Sequence, residues 1–342
     1  MRTLLPSGRP ALILAPMQDV TDLAFMRTMH QFGGPDIYVT EYFRVHTDSK
    51  LSPYILRSIN ENPTGRPIFA QMIGQDIPSL VRSAKQLLAH PVAGIDLNLG
   101  CPAPIVCRKD AGGGLLRNPL KVGQILGALR EAVGDRRLTV KTRLGYDSPD
   151  EFENLLRIFK GHDLDAITIH GRTVKERYQT PVHPQQIATA VRALDCPVIA
   201  NGNAVDVATA NSLLQQTGAA GLMLGRGAIR NPWLFDQLRG TRNTPPSRKE
   251  LLAYIETLFE ETARTVRNFD PVKHVMKMKK YLRYIVQGID EQFEQRIYRC
   301  STPEEFSQTC LEFLNSDCQI PPLPPEKSKL FCGFSALLPN QV

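Results

Sequence analysis

Eight short apolar runs alternate with eight longer amphipathic patterns across the first two-thirds of this 342-residue chain, and few architectures accept that order. The apolar runs are 11–15, 36–40, 67–72, 94–98, 138–142, 165–170, 197–200 and 220–224. Helical patterns follow them at 22–31, 53–59, 78–89, 119–133, 149–159, 184–194, 205–215 and 231–238. Pro78 stands at a first-turn position, where its missing N–H costs nothing, and Ser148 is a suitable N-cap. Near-continuous apolar strands joined by helices imply a parallel sheet covered on both faces. Eight such units in about 230 residues match an α/β (β/α)8 TIM barrel, typically ~250 residues long. An open doubly wound sheet fits less well, since no G-x-G-x-x-G follows the first run.

After Gly240 the alternation stops. Residues 241–246 (TRNTPP) read as a linker, and helical patterns then occupy 247–267, 271–287, 291–299 and 303–315. The chain therefore divides into a barrel over 1–240, a smaller all-α helical bundle over 241–318 and a Pro-rich tail over 319–342. The tail is expected to be extended or disordered, with late apolar residues at 330–338 as candidates for docking. With 42% apolar and 22% charged residues the chain can bury a large core. Its seven cysteines include no C-x-x-C pair, so neither a disulfide framework nor a zinc knuckle is indicated. No run approaches the ~18 apolar residues of a membrane span. Pro6, Gly8 and Pro10 interrupt the N-terminal stretch before a signal-type run develops. A cytoplasmic monomer with no metal and no membrane partner is the expectation. The formal charge of +7 and pI near 9.0 suit a polyanionic partner.

A barrel concentrates function at its strand C-termini. In the stretch 95–116, IDLNLGCPAPIVCRKDAGGGLL, an apolar strand reaches Gly100 and Cys101 and is stopped by Pro102 and Pro104. An arbitrary cysteine is usually a small buried hydrophobe; this one stands in a loop at a strand end, where functional residues gather. The glycines at 112–114 would let backbone approach a ligand closely or adopt φ > 0 without a Cβ penalty. Other run ends carry Pro16 and Met17, Glu41, Gln71, Asn98, Lys141 with Arg143, and His170. The last two loops, NGN at 201–203 and GRG at 225–227, suit a phosphate held by glycine-exposed N–H groups, with Arg226 adding a charge-assisted contact. Gln71 offers a donor and an acceptor on one planar amide, as the edge of a heteroaromatic ring requires. Lys141 could form a Schiff base or remain an ammonium that polarises an electron-rich ring, and the residue type leaves both open. Together these residues ask for a phosphate-bearing cofactor, and a planar one such as FMN satisfies them.

The same segments resemble the bacterial tRNA-dihydrouridine synthases. The resemblance is carried by LAPMQDVTD (14–22), TEYF (40–43), QMIG (71–74), DLNLGCP (96–102), VKTRLGYD (140–147), IHGRT (169–173), VIANGN (198–203) and LGRGAIRNPWLF (224–235). It implies an FMN enzyme that uses NADPH to reduce uridines in tRNA to 5,6-dihydrouridine. Pro16, Met17 and Gln18 would line the isoalloxazine, with Gln71 and Lys141 at its polar edge. His170, Asn201, Gly202, Asn203, Gly225 and Arg226 would hold the ribityl phosphate end. Cys101 would be the proton donor, with Asn98 and Arg143 on the substrate side. An ordinary thiol, with pKa ~8.5, is mostly protonated at neutral pH, which suits an acid. In the helix expected over 271–287, Val275, Met278, Leu282 and Ile285 form an apolar stripe opposite Lys273, Lys277 and Lys280. Beside the resemblance, Lys277 and Lys279 become candidate contacts to tRNA phosphates. Two other readings stand next to this one. An FMN barrel could reduce a small pyrimidine or enone, which leaves the basic helix without a use. An RNA-binding protein on a retired barrel would be colourless.

Overall fold

The structure, a computed structural model, describes residues 4–265 and 269–332. Nine parallel strands form its sheet: β1 (Ala11–Leu14), β2 (Tyr38–Val39), β3 (Phe43–Arg44), β4 (Ile68–Ile73), β5 (Gly94–Leu99), β6 (Arg137–Arg143), β7 (Ala166–His170), β8 (Val198–Asn201) and β9 (Gly221–Leu224). Their order is β1-β9-β8-β7-β6-β5-β4-β2, with β3 also paired to β4. A parallel bridge between Ile13 and Ile37 closes the circle, supported by Leu14 N–H donating to the Ile37 carbonyl at 3.1 Å. The (β/α)8 barrel expected from the alternation is therefore present.

One stave departs from expectation. The single run at 36–40 becomes two short strands, because the chain bulges at Thr40–Tyr42 before pairing again. There the Thr40 hydroxyl, 3.1 Å from the Gln71 N–H, replaces a ladder carbonyl. Register then levels the functional end of the sheet. Asn98 pairs with Lys141, Arg143 with His170, and His170 with Asn201, so these residues reach one rim from neighbouring strands.

The helices start where their caps lie. Asp22 accepts the Phe25 N–H ahead of helix Leu23–Gln31, and Ser148 with Glu151 forms a capping box ahead of helix Phe152–Lys160. The pattern at 231–238 becomes the shorter helix Leu234–Arg239, and a further short helix, Arg226–Arg230, forms where the GRG loop was expected. Beyond Gly240 the helices are Arg248–Thr265, Pro271–Ile285, Glu291–Ile297 and Pro303–Leu314. They join the barrel through one continuous apolar cluster. Phe25 stacks on Tyr281 at 5.8 Å, and Phe32 meets Trp233 and Tyr254 edge-on at 5.3 and 5.4 Å. The linker is pinned: Arg242 lies 5.0 Å over Trp233 and forks onto Glu250 with two 2.9 Å contacts.

The described tail takes the extended of its two expected forms, with a late apolar residue docked. Residues 319–332 pack against both the helical region and the barrel. Gln319 bridges to Ser247, Ile320 is buried, and a short helix, Lys329–Cys332, buries Leu330. The remainder of the 330–338 docking segment, from 333 onward, lies outside the described residues. Arg230, 1% exposed, holds the strap by donating to the carbonyls of Gln287, Pro321 and Pro322 at 2.9, 2.7 and 3.2 Å. Among the described residues no helix is long and apolar enough to cross a membrane, and no cluster of His, Cys, Asp or Glu could hold a metal ion.

Arg230→Met is expected to leave those three carbonyls short of donors and to lower the unfolding free energy in denaturant titrations by about 2–4 kcal/mol. Tryptic cleavage at Lys327 and Lys329 should accelerate in the same variant; an unchanged cleavage rate would show that the strap is held elsewhere.

Candidate active site

The strand C-termini enclose a cavity of about 530 Å³. One wall is built from β5. Its last turn of hydrogen bonds begins at Asp96, a buried carboxylate that accepts from the Thr139 hydroxyl at 2.6 Å and from Gln71 Nε2 at 2.7 Å. Burial pushes this carboxyl upward, and those two donors pull it back. Gln71 Oε1 in turn accepts from Asn98 Nδ2 at 2.8 Å. Asn98 Oδ1 then accepts the N–H groups of Gly100 and Cys101, each at 3.0 Å. Cys101 is thus set by a chain of side chains running up from inside the barrel, and its half-exposed thiol lies in the cavity wall with Asn98.

The loop behind Cys101 is more ordered than an irregular connection. It contains a short helix, Pro104–Cys107, and a 3₁₀ segment, Gly112–Arg117. Gly112 takes a positive φ, +54°, one of the two uses expected of the triplet, and the glycines pack under the cysteine. A Cβ at Gly112 would stand 3.1 Å from Cys101 Cβ, and one at Gly113 would stand 2.8 Å from the Cys101 carbonyl oxygen. Cys107 faces away, buried, its Sγ 3.5 Å from that carbonyl, and burial raises its thiol.

The opposite wall is cationic. Lys141 Nζ lies 3.3 Å from Asn201 Oδ1, and burial followed by the charge of Arg143 pushes this ammonium down to about 8. Asn201 donates to the Met223 carbonyl at 2.8 Å, and Asn203, at φ +51°, accepts from both terminal nitrogens of Arg172 at 3.2 Å. Arg172 is itself pushed down to about 10 by burial and by Arg226 and Arg143. His170 is buried among these charges. Burial first, then Arg143, Lys141, Arg172 and Arg226, hold it well below the ordinary imidazole value. Among the residues lining the cavity, Lys141, Arg143, Arg226, Lys280 and Arg283 are cations, while Asp19 is the only acid and already pairs with Lys280 at 3.2 Å.

A match to the family model described as dihydrouridine synthase (Dus) extends over residues 13–317, nearly the whole described chain. The chain belongs to the dihydrouridine synthase family. Among curated relatives, a probable tRNA-dihydrouridine synthase of Staphylococcus epidermidis is 32% identical over 295 residues, covering 82% of this chain and 86% of that protein. A tRNA-dihydrouridine(16) synthase of Neisseria meningitidis is 32% identical over 276 residues, covering 78% and 80%. Among solved structures, a 2-naphthoyl-CoA reductase with 2-naphthoyl-CoA superposes with a TM-score of 0.56 at 12% identity, over 68% of this chain and 50% of the other. That likeness is one of fold.

Most of the residues singled out in this dihydrouridine synthase sequence meet at the cavity: Pro16, Met17 and Gln18, then Asn98 and Cys101, and, across from them, Lys141, Arg143, His170, Asn201–Asn203, Gly225 and Arg226. Two of them, Gln71 and Lys277, lie elsewhere than expected, and Arg143 has a further duty. Gln71, fully buried, spends both amide atoms on Asp96 and Asn98 and is not part of the wall. The Arg143 guanidinium braces the loops through the carbonyls of Gly100, Thr173 and Arg177 at 2.9, 2.8 and 3.0 Å. Lys277 does not lie on an open face but turns inward to pair with Asp22 at 2.7 Å, so its charge is engaged within the protein. Lys279 stays on the helix flank, half-buried. Sequence reasoning missed Tyr42, Tyr178 and Leu330, which also line the cavity. Tyr178 takes Arg226 at 4.3 Å and Arg143 at 5.4 Å against its ring. The only signal for it was an aromatic in the loop after IHGRT.

Because His170 stays neutral in the folded protein while an unfolded chain takes up a proton below about pH 6.5, its contribution to stability is complete above that pH and declines as pH falls. His170→Gln is expected to flatten the loss of unfolding free energy between about pH 7 and 5; equal slopes in variant and wild type would show a histidine that protonates freely in the native state.

Proposed function

We propose that this protein reduces uridines in tRNA to 5,6-dihydrouridine, with FMN as its resident cofactor and NADPH as reductant. The observation that carries the reading is the division of one cavity into a cysteine–asparagine wall and a cationic wall. The cationic wall fits a phosphate-bearing cofactor. It gathers positive charge with a single, already paired acid, and it includes Gly202 at φ +132°, where a Cβ would press to 3.2 Å from the His170 ring. Asn201–Asn203, Gly225, Arg226 and His170 would hold the phosphate end, and Pro16, Met17, Gln18 and Lys141 the ring. FMN, when bound, supplies the hydride delivered to C6 of the uracil.

The protein's own residues do the rest. As C6 gains its hydrogen, negative charge develops at C5 and the adjoining carbonyl, and the Cys101 S–H gives its proton to C5. The C5–H bond forms as the S–H bond breaks, and the thiolate left behind recovers a proton from solvent. Asn98 has one amide N–H bound to Gln71 and both lone pairs of Oδ1 on the loop, so a single N–H remains to donate to a uracil carbonyl. Lys141 keeps enough positive charge near neutral pH to favour the developing anion. The target uridine must leave its stack to enter the cavity. Lys280 and Arg283 at the cavity, with Lys279 on the same helix, supply positive charge for the surrounding phosphates. A cytoplasmic location follows from such a substrate.

Cys101→Ala is expected to bind FMN and accept reduction by NADPH while dihydrouridine formation on tRNA falls by roughly 10²–10⁴-fold, the usual worth of a positioned acid. Undiminished turnover would remove Cys101 from the chemistry. Free uracil or an enone turned over better than tRNA would favour the small-substrate reading instead.

Lys279→Glu should raise KM for tRNA and reduce the salt slope of binding by about one, with flavin content unchanged. A variant whose tRNA affinity and salt slope match the wild type would place the phosphates elsewhere.

A further inference from the structure

An acidic corner where the helical region meets the barrel takes no part in the chemistry above. Glu41, just past β2, is 2% exposed; its Oε1 accepts the Asp19 N–H, and its Oε2 has no hydrogen-bond partner among the described residues. Asp19 holds a φ of +62°, a left-handed conformation that few non-glycine residues adopt, and forms the cavity wall together with Pro16, Met17 and Gln18. Asp22, also buried, receives the hydroxyls of Tyr54 and Tyr281 at 2.6 and 3.2 Å. From the helical side Lys277 reaches between these acids. Its Nζ pairs with Asp22 at 2.7 Å and donates to the Asp19 carbonyl at 2.6 Å. The loop that walls the cavity is therefore held by a carboxyl from the barrel and an ammonium from the helical region.

We propose that Glu41 and Lys277 are positioning residues for the loop at 16–19, so that docking of the helical region on the barrel is felt as affinity for the planar ligand against that loop. The inference rests on the flavin reading above. Neither side chain belongs to the cavity wall, so each acts through Asp19. A backbone in a conformation of poor intrinsic stability needs outside contacts to hold it, and these two supply them at its N–H and its carbonyl.

The same contacts make the hold depend on pH. Burial first, and then repulsion from Asp22 and Asp19, push Glu41 up to about 7, while the Asp19 N–H and the charge of Lys277 pull it down. The groups facing it are Asp19 and Asp22 from the loop, Tyr54 from helix Pro53–Asn60, and Lys277 and Tyr281 from helix Pro271–Ile285. Above about pH 7 the carboxylate is a charge-assisted acceptor for Asp19; below it the neutral carboxyl holds more weakly. Stability runs the other way. A carboxyl raised in the folded state contributes stability that is complete below its unfolded value and is lost as pH rises through its folded one.

The test measures FMN affinity of the deflavinated full-length chain, by quenching of flavin fluorescence, from roughly pH 6 to 8.5, with thermal unfolding over the same range. Ionisation of the FMN phosphate, near pH 6, affects all forms alike, so the variants are read as differences from wild type. Wild type is expected to bind more tightly above about pH 7 and to be less thermally stable there than at about pH 6, the loss running out as pH passes 7; Glu41→Gln, nearly isosteric, should lose both differences. Lys277→Met should bind FMN about tenfold more weakly near pH 7.5, the worth of one charge-assisted hydrogen bond, with its affinity step moved to higher pH. Matching profiles for wild type and Glu41→Gln, or full affinity in Lys277→Met, overturn the inference while leaving the flavin reading intact. A wild-type chain that takes up no flavin sinks both.

Discussion

A single buried carboxylate decides how the cysteine wall is assembled. Asp96, when ionised, can only accept hydrogen bonds, so Gln71 must turn its NH₂ toward it and its oxygen away. That oxygen obliges Asn98 to present its own NH₂, which leaves Asn98 Oδ1 to gather the Gly100 and Cys101 N–H groups. Each amide in the series could point either way in isolation. The acceptor-only group at its base removes the ambiguity, and Thr139 occupies the other Asp96 oxygen. Polarity is thus passed from the β5–β6 layer to the loop carrying the thiol by three side chains, with no flexible link between them.

What the barrel alone encloses is an incomplete cavity. Lys280, Arg283, Tyr284 and Leu330 contribute to its wall from beyond the barrel, the last of them from a strap anchored by Arg230. One apolar cluster spans both regions, so the helices are not an accessory tethered by a linker but part of the same packed interior. The Phe25–Tyr281 stack, beside the Lys277–Asp22 pair, fixes the angle at which the helix Pro271–Ile285 crosses the mouth.

The barrel was legible because its signal is local. Strand and helix periodicities repeat within about ten residues, and prolines and glycines mark the changes between them, so the expected runs and the observed strands agree closely apart from the bulge at Thr40–Tyr42. Site residues at strand ends were legible for the same reason, since the architecture dictates which end carries them. Partners were not. Helical spacing places Lys277 opposite the apolar stripe, yet it cannot reveal that a carboxylate on the barrel rim waits there; the carbonyl it also contacts is 258 positions away in the chain. Gln71 shows the same limit, since a strand-end position does not say whether an amide faces the cavity or its neighbours. For the glycines at 112–114 the sequence allowed either close approach or a positive φ; Gly112 takes the latter, and the room the triplet makes lies against the Cys101 backbone. Proline content in the tail left extended and disordered chain both open; composition could not show that a buried arginine, Arg230, collects two of its carbonyls and holds it extended.

Charge is balanced differently at the acidic corner beside the cavity and at its cationic wall. On the acidic side Asp19 and Asp22 are met by Lys280 and Lys277 within 3.2 Å, so little field escapes. On the other side burial, and then the neighbouring cations, hold Lys141, Arg143 and Arg172 below their ordinary values and keep His170 neutral, so positive charge is concentrated around a buried imidazole. A folded chain tolerates such repulsion only where packing and backbone carbonyls hold the cations in place, as they do for Arg143 and Arg172. On the proposed reading a dianionic cofactor phosphate at this wall would relieve it and raise Lys141 toward its ordinary value. Phosphate binding and the charge carried by Lys141 would then be coupled through one cationic wall.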